Sequence, residues 1–520
     1  MESAAKSSSV KNVVVRVLLF GVFVLIVRFV YVVTVYGGPC NSGDFCLLPF
    51  PGEGLSVTSA GGGASAGSAA FVRVADGSTG ATPALWTTRE WRKAVDYYSA
   101  VFQDLLVDGF VSPTAKSLCV DTPTGHEVLA LKEIGVLDAV GVAKKKAPPL
   151  VVAGGDLLHL PFRNGTFDFV FAGRSLDRSK RLAHLASEIV RTLKPDGFLA
   201  VLTASAGNAY SLHSLIDLFP SFWKLRFRKL DGPDSSSAIH EIVFQKQLDG
   251  DILAVDGKEA EDSSPSSSCS IPEHKLRLLE SAEPLIKEEP LKPWIALKRN
   301  IKNIKYLPSM VDISFKPRYV YVDVGARSYG SSIGSWFRKQ YPKQNHTFDI
   351  YAIEADPAFH DEYAAKKNVN LLPFAAWVRN ETLAFEINHD PEQHDVEKEK
   401  GGRGMGRIRP VSRLSGGVSS GEVHSIHGFD FAKWLKRTVS ESDFVVMKMD
   451  VEGTEFDLVP RLFETGAICL IDELFLECHY NRWQRCCPGE RTPKYRKTYG
   501  ECLKLFTSLR KSGVLVHQWW

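Results

Sequence analysis

The fold of the second half of the chain is decided by Tyr319-Val-Tyr-Val-Asp-Val-Gly325, an alternating run of valine and tyrosine that ends in a glycine turn. The turn continues as Gly325-Ala-Arg-Ser-Tyr-Gly330, and a helix is expected after it, through Phe337. Phe348-Asp-Ile-Tyr-Ala-Ile-Glu354 is then a second run of strand-forming residues, and it ends in a carboxylate. A strand, a glycine turn, a helix and an acidic strand end are typical of a βαβ unit that binds a nucleotide-like ligand. The sequence therefore predicts a doubly wound α/β fold.

Three more strands are predicted in the same half, at Asn370–Ala376, Phe444–Gly453 and Leu470–Glu477. A charged, glycine-rich stretch, residues 389–421, lies between the first two and reads as a loop. In open α/β sheets ligands bind outside the carboxyl ends of the strands, so polar residues there are candidates for a functional site. The candidates at the last two strand ends are Asp450, Glu452, Glu477 and His479.

These elements together resemble the FkbM-type S-adenosylmethionine-dependent methyltransferases. The shared pattern is a VDVGA turn, an E-x-x-P strand end at Glu354–Pro357, an N-A-like strand, K-x-D-x-E-G at Lys448–Gly453, and a late strand with a glutamate. This chain departs from the pattern at Arg327, where the family has asparagine, and its second glycine falls one residue late. The cofactor-binding residues implied by the resemblance are Asp323, Gly325, Gly330, Glu354, Ala375 and Ala376.

By the same resemblance, the aspartate and the two glycines shape the cofactor loop, Glu354 holds the ribose, and one of the two alanines lies beside the adenine. Asp450 and Glu452 would face the transferred methyl group and the acceptor. Because methyl transfer is an in-line displacement from a sulfonium, the protein mainly positions the acceptor and removes its proton. The candidate bases are Asp450, Glu477 and His479. For the carboxylates the alternative is a helix-capping role, and for the histidine a structural one.

The first half, residues 86–247, resembles the class I S-adenosylmethionine-dependent methyltransferases that act on small molecules, through the order GD…LPF…FDFVF…LKPDGFLAV. Its cofactor turn, Asp121-Thr-Pro-Thr-Gly125, has one glycine where the family has at least two, and the strand Val140–Ala143 ends in alanine instead of an acid. Asp156, which matches the adenine-side acid, is present. Lys194–Gly197 is expected to be a turn. We expect a retained fold that has lost cofactor binding; a working site with unusual chemistry is the alternative.

The N-terminus contains a candidate membrane anchor, Val17–Tyr36, which is apolar apart from one arginine and one threonine. Twenty helical residues span about 30 Å, the thickness of a bilayer core. A cleaved signal peptide is the alternative. Three cations precede this stretch and no charge follows it until Asp44, so the positive-inside rule predicts a single-pass type II protein with a lumenal body. The chain thus resembles plant-type membrane-anchored methyltransferase-like proteins.

A lumenal body agrees with three glycosylation sequons, at Asn164, Asn345 and Asn380. In an oxidising lumen, Cys40–Cys46 and the Cys486/Cys487 pair could form disulfides, and the odd total of nine cysteines leaves at least one thiol. The predicted location is the Golgi or another endomembrane compartment. The opposite topology, with a cytosolic body, is the alternative.

Composition limits the function classes further. The 520 residues carry 63 Lys plus Arg against 60 Asp plus Glu, a formal net charge of +3, so no nucleic-acid binding by bulk charge is predicted. No metal-ligating set is predicted, since no CxxC pair indicates structural zinc. The predicted organisation is a cytosolic tail (1–12), a transmembrane anchor (13–36), a flexible stem (37–85), a degenerate methyltransferase-like domain (86–247), a disordered linker (248–300) and an FkbM-like domain (301–520).

The predicted function is O-methylation of a secretory-pathway acceptor, a small molecule or a glycan, with S-adenosylmethionine as the methyl donor. The alternative is a non-catalytic pair of pseudo-methyltransferase domains that serves as a scaffold or binding partner in an endomembrane complex. Two basic stretches, residues 403–413 and 482–497, are either solvated loops or a surface that holds an anionic acceptor such as a uronic-acid glycan.

Overall fold

The structure, a computed structural model, describes residues 88–232, 238–247, 269–388, 405–410, 422–484 and 487–519. The predicted tail, anchor and stem lie outside these ranges, as do residues 248–268 of the predicted linker. The rest of that linker, residues 269–300, contains the helices Glu273–Glu280 and Pro293–Asn300, so the disorder predicted for this part is wrong. None of the helices within the described ranges is both long and apolar enough to cross a bilayer.

The first half folds around a seven-stranded sheet. Its strands are β1 Ser117–Val120, β2 Ala139–Ala143, β3 Val151–Gly154, β4 Phe167–Gly173, β5 Leu193–Thr203, β6 Phe222–Asp231 and β7 Ala238–Lys246. Their order is β3-β2-β1-β4-β5-β7-β6. The first five strands are parallel, and β7 is antiparallel to both of its neighbours. The strand order reverses between β1 and β4, which is the place where doubly wound sheets bind ligands.

Helices cover both faces of this sheet: α1 Arg89–Val107, α2 His126–Glu133, α3 Ser175–Arg178, α4 Leu182–Thr192 and α5 Ala209–Asp217. The first helix begins where the Thr88 hydroxyl accepts a hydrogen bond from the amide of Trp91 at 3.2 Å, an N-cap arrangement. The turn expected at Lys194–Gly197 is wrong, because β5 already begins at Leu193. Residues 194–197 interrupt the regular pairing of β5 with β4, and among them Asp196 takes a positive φ of 59°.

The described residues of the second half form ten strands: β8 Tyr319–Val324, β9 Asp349–Ile353, β10 Asn370–Leu372, β11 Ala375–Trp377, β12 Glu381–Asn388, β13 Met405–Pro410, β14 Glu422–Asp430, β15 Phe444–Met449, β16 Glu473–Glu477 and β17 Leu515–Trp519. Six of them make a sheet of order β10-β9-β8-β15-β16-β17, and all of its pairs are parallel. Every residue of β8 and β15 is buried, as expected for central strands covered on both faces. The doubly wound α/β fold predicted for this half is confirmed.

The other four strands form a separate sheet, of order β11-β14-β12-β13. The single strand predicted at Asn370–Ala376 is therefore wrong. It is divided at Pro373, which has no amide hydrogen to continue a ladder, so that β10 joins the large sheet and β11 the small one. The loop predicted at residues 389–421 is also wrong in part, since β13 lies inside it and pairs with β12.

The helices of this half are α6 Glu273–Glu280, α7 Pro293–Asn300, α8 Leu307–Met310, α9 His360–Ala364, α10 Phe431–Thr438, α11 Glu455–Glu464 and α12 Tyr499–Lys511. The helix expected through Phe337 is a single π-helical turn, Ile333–Phe337. The carbonyl of Ser332 accepts from the amides of both Trp336 and Phe337 at 2.9 Å, which widens the turn, and Pro342 follows soon after. The cofactor loop therefore leads into a short turn rather than a long helix.

Two disulfides join distant parts of the second half, Cys269–Cys469 and Cys478–Cys502. Cys487 is also disulfide-bonded, and Cys119 is a free, buried thiol. The predicted Cys40–Cys46 pair lies outside the described residues, and so does Cys486. The pairing of Cys269 with Cys469, 200 residues apart, was not anticipated from the sequence.

Candidate active site

A cavity opens at the carboxyl ends of β8, β9 and β15, where the strand order of the six-stranded sheet reverses. The small sheet contributes to the same cavity through Phe385 of β12 and Gly406 and Ile408 of β13. The remaining lining residues are Val324, Gly325, Arg327, Ile353, Glu354, Ala355, Asp356, Phe359, Phe374, Ala375, Ala376, Asp450, Val451 and Glu452. Six of the ten residues predicted for the site therefore line one cavity.

Gly325 lies at the end of β8 with φ of +79°. A Cβ atom built on it would be 1.9 Å from the carbonyl oxygen of Asp450, a distance that side-chain atoms do not tolerate. The glycine is therefore required for two reasons, its left-handed backbone and the close passage of the chain after β15. The two central strand ends are joined beside it, where the amide of Asp450 donates to the carbonyl of Val324 at 2.9 Å.

Glu354 ends β9 and ties two loops together. One carboxylate oxygen accepts from the amide of Asp356 and the other from the amide of Arg327, both at 2.6 Å. The residue is 8% exposed, and burial raises the pKa of its carboxyl to about 7 although both amides oppose this. An acceptor group is thus fixed at the cavity wall by the loop that follows β8.

Asp323 and Gly330 are not among the lining residues. The Asp323 side chain is fully buried, accepts from the hydroxyls of Ser332 and Tyr321, and lies 3.8 Å from the ammonium of Lys448. Burial raises the pKa of the Asp323 carboxyl. Gly330 is exposed. Asp323 thus contacts Ser332 in the loop after β8 and does not line the cavity. Ala375 and Ala376 do line it, and the sequence predicts the adenine beside one of them.

The second group of predicted residues meets around the imidazole of His479. Its Nε2 atom is 3.6 Å from Asp450 Oδ1, 3.9 Å from Glu452 Oε2 and 3.8 Å from Glu477 Oε1. These residues come from the ends of two adjacent parallel strands, β15 and β16, which explains why they converge. We call Asp450, Glu452, Glu477 and His479 the carboxylate–histidine cluster.

His479 is held in place by Glu455, the first residue of α11. One oxygen of Glu455 accepts from the backbone amide of His479 at 2.6 Å and lies 3.3 Å from its Nδ1 atom. Burial opposes a charge on the imidazole, but Glu455, Glu452 and Glu477 outweigh it and raise the pKa of His479 to about 10. Among the protein groups that surround it, His479 is therefore cationic and is not free to act as a base.

The carboxylates of the cluster differ in their surroundings. Burial, with the nearby charge of Asp450, raises the pKa of Glu477 to about 8. Glu452 accepts from Lys494 at 2.8 Å and from the hydroxyl of Tyr495. Although burial opposes ionisation of Glu452, His479 and Lys494 lower its pKa. Its φ of +51° is uncommon for a non-glycine residue.

Asp450 faces the cavity and has a different partner. Its second oxygen lies 3.6 Å from the ammonium of Lys448, which is buried between Asp450 and Asp323. Although burial opposes a charge on Lys448, these carboxylates raise its pKa. Sequence reasoning quoted Lys448 only as part of a motif. It missed Glu455 and Tyr495, because a helix-start acid and a loop tyrosine have no local pattern that indicates a site.

At the corresponding edge of the first sheet, two side chains lie against the turn after β1. Leu150 packs on the turn after β1, so that a Cβ at Gly125 would lie 2.7 Å from the Cβ of Leu150. The guanidinium of Arg178 donates to the carboxylate of Asp121 at 2.9 Å and to its carbonyl at 3.0 Å. Asp156 is exposed and accepts from a nearby backbone amide. The expected loss of cofactor binding in this half stays a prediction.

Comparisons with known proteins assign part of the chain. Residues 133–201 match a family described as "Methyltransferase domain". Residues 279–386 and 412–520 match a family described as "Domain of unknown function (DUF7870)". The demethylmenaquinone methyltransferase of Lactobacillus johnsonii is 35% identical over 81 residues, which are 15% of this chain and 33% of that protein. The chain thus spans about a third of the length of this curated relative.

Two solved structures are similar in part. The 1,6-didemethyltoxoflavin-N1-methyltransferase of Burkholderia thailandensis, with S-adenosylhomocysteine bound, is 14% identical at a TM-score of 0.25, covering 32% of this chain and 82% of that one. A SAM-dependent methyltransferase from Methanosarcina mazei is 15% identical at a TM-score of 0.22, covering 28% and 98%. TM-scores this low do not establish that the folds are the same.

The first half therefore contains a methyltransferase-type domain on a Rossmann-like α/β sheet, as predicted. The same match supports S-adenosylmethionine as the cofactor of the fold. The description matched by the second half names no activity, so its FkbM-type resemblance stays a prediction.

Proposed function

We propose that the second half is an S-adenosylmethionine-dependent O-methyltransferase of the FkbM type, and that the first half is its non-catalytic partner. The observation that carries this proposal is the cavity that joins Glu354 to Asp450 and Glu452 at the switch point of the second sheet. A cavity at this place, with a fixed carboxylate at one end and a charged cluster at the other, suits a nucleoside-containing cofactor next to a polar acceptor.

The lining residues fit S-adenosylmethionine. The Glu354 carboxylate is an acceptor for ribose hydroxyls, and its two backbone hydrogen bonds leave lone pairs free for them. Phe359 and Phe374 supply apolar walls for the adenine, and Ala375 and Ala376 leave room beside it. When bound, the cofactor supplies an electrophilic methyl group on a sulfonium.

Asp450 is the residue best placed to take the proton of an acceptor hydroxyl. Its side chain is 22% exposed and lines the cavity, and its Oδ1 atom has no hydrogen-bonding partner among the described residues. His479 is already cationic and Glu477 keeps its proton near neutral pH, so neither is a ready base. Glu452 and His479 then position Asp450, and the carboxylates also suit the positive charge of the sulfonium.

The acceptor belongs to the secretory pathway in this proposal, as a small molecule or a glycan. The two disulfides of the second half support an oxidising compartment. Asn345 and Asn380 are exposed and thus accessible to glycosylation in a lumen. The protein would be a type II, plant-type membrane protein of the Golgi or another endomembrane. A shift in gel mobility after glycosidase treatment, absent in an Asn164→Gln/Asn345→Gln/Asn380→Gln triple variant, would support the lumenal topology; an unshifted wild-type chain would contradict it.

The proposal is tested by calorimetric titration of S-adenosylmethionine into the full chain in detergent micelles. Wild-type protein is expected to bind one equivalent, and Glu354→Ala to lose the binding heat. Glu362→Ala, an exposed acid on α9, is the matched control and should bind like the wild type. If the wild-type chain does not bind, the methyltransferase proposal fails and the non-catalytic scaffold is favoured.

A further inference from the structure

The carboxylate–histidine cluster brings an unusual number of carboxyl groups to one imidazole. Four carboxylates face His479 within 4 Å, from Asp450, Glu452, Glu455 and Glu477. The lysines in contact with these groups are Lys448 and Lys494. Partly buried carboxylates at this density are stable only when paired or when they coordinate a cation.

The distances in the cluster suit metal coordination. Asp450, Glu452 and His479 each offer one ligand atom, and these atoms all lie within 4.8 Å of one another. Nitrogen and oxygen ligands bind Zn²⁺ at about 2.0–2.2 Å, so two ligands of one ion are roughly 3–4 Å apart. The distances of 3.6 and 3.9 Å from His479 Nε2 to the two carboxylates fall within that spacing.

The orientation of His479 is a second, independent observation. Its side chain is 8% exposed, and Nδ1 faces Glu455 at 3.3 Å while Nε2 points between the other carboxylates at 3.6 Å or more, beyond hydrogen-bond length. Metal-binding histidines commonly donate their other ring N–H to a carboxylate, which fixes the tautomer. Asp450 Oδ1, which faces Nε2, is buried and has no hydrogen-bonding partner within the described part of the chain.

We infer that Asp450, Glu452 and His479, with Glu477 as a fourth candidate ligand, bind a divalent first-row metal cation. One imidazole with several carboxylates favours Mn²⁺ or Zn²⁺ over Mg²⁺ and Ca²⁺, which prefer oxygen alone. Lys494 and Tyr495 fix the Glu452 carboxylate through Oε2, the oxygen that lies 3.9 Å from His479 Nε2. The sequence predicted no metal, because these ligands come from separate strand ends and form no recognisable spacing.

The cation would face the cavity, since Asp450 and Glu452 line it. A ligand position open to the cavity would hold an oxygen of the acceptor and lower its pKa. This role in catalysis rests on the proposed methyltransferase function, whereas the binding of the cation does not. The chemical class of acceptor that it selects is one with a hydroxyl, or two neighbouring oxygens, within reach of the metal.

The test is electron paramagnetic resonance of Mn²⁺ added to chelator-treated full chain in detergent, in which bound ion loses its free-ion signal. We expect one site per chain, displaced by Zn²⁺, with affinity at least tenfold weaker in His479→Gln and Asp450→Asn. Glu441→Gln is the matched control, because Glu441 is an exposed acid that precedes β15 whereas Asp450 follows it. Its Mn²⁺ affinity should equal that of the wild type.

Circular dichroism and S-adenosylmethionine binding of the same variants show whether they fold. The inference would be overturned if the wild type bound neither Mn²⁺ nor Zn²⁺, or if folded His479→Gln bound Mn²⁺ as tightly as the wild type. A proton on Nε2 would then lie between the carboxylates in place of a metal. Cation binding by a chain that does not bind S-adenosylmethionine would uphold the metal site and overturn the methyltransferase proposal. S-adenosylmethionine binding by a chain that binds no cation would uphold the methyltransferase proposal and overturn the metal site.

Discussion

The two doubly wound sheets of this protein share their central strand order and differ at their carboxyl edges. In the first sheet, Leu150 packs on the turn after β1 and Arg178 binds Asp121. In the second, the corresponding turn at Gly325 borders a cavity with Glu354 at the end of the next strand. The sheet is maintained by buried strands, whereas the site depends on a few residues in the loops. The same strand order can therefore carry different arrangements of side chains at its carboxyl edge.

The largest expected effect comes from comparing the two turn glycines. Gly325→Ala places a Cβ against the Asp450 carbonyl and should abolish S-adenosylmethionine binding, because the two strand ends must separate. Gly125→Ala has a similar φ, +74° against +79°, and its Cβ meets the Leu150 side chain. It should lower the melting temperature and leave cofactor affinity unchanged.

Calorimetry and thermal unfolding of both glycine variants check this prediction. Loss of cofactor binding in the folded Gly125→Ala variant would show that the first half takes part in binding, and would break the proposed division between the halves.

The second prediction concerns Leu150, which packs on the turn after β1 in the first sheet. Leu150 is 5% exposed, and its truncation to alanine should cost about 2–5 kcal/mol of unfolding free energy, as for other buried leucines. We expect no second cofactor site in Leu150→Ala, because Ala143 stands where an acid would hold the ribose. Chemical denaturation and the stoichiometry of S-adenosylmethionine binding measure the two effects. A stoichiometry of two would mean that the first half retains a latent site.

Much of the second site was predictable because strand ends follow from local hydrophobic pattern and parallel strands bring their carboxyl ends together. This pattern predicts that Asp450, Glu452, Glu477 and His479 lie at one edge of the sheet. It could not anticipate the small sheet over the cavity, since one of its strands, β13, lies in a stretch that reads as a charged loop. Contacts such as Tyr495 with Glu452 join loops far apart in sequence, and no local pattern records them.

The third prediction is a pH dependence specific to the second site. Burial raises the pKa of Glu354 to about 7, and its ionised form is the better acceptor for ribose hydroxyls. Lowering the pH from 8 to 6 protonates this carboxyl and should weaken S-adenosylmethionine binding about tenfold by linkage. Glu354→Gln should bind more weakly with a flatter pH profile, as measured by calorimetry at both pH values. A wild-type affinity that is constant from pH 6 to 8 would contradict the assignment of Glu354 to the ribose.

The smallest expected effect is at Arg178, at the carboxyl edge of the first sheet. Its side chain is 52% exposed and its partner Asp121 is largely covered, so the ion pair is partly screened by solvent. Arg178→Ala should cost no more than about 1 kcal/mol, the upper end for such pairs, and should leave the affinity for S-adenosylmethionine unchanged. Arg174→Ala, which removes a neighbouring pair with Asp177 at 3.1 Å, is the matched control. A loss of several kcal/mol in Arg178→Ala alone would show that the ion pair, rather than the packing of Leu150, holds the turn after β1 in place.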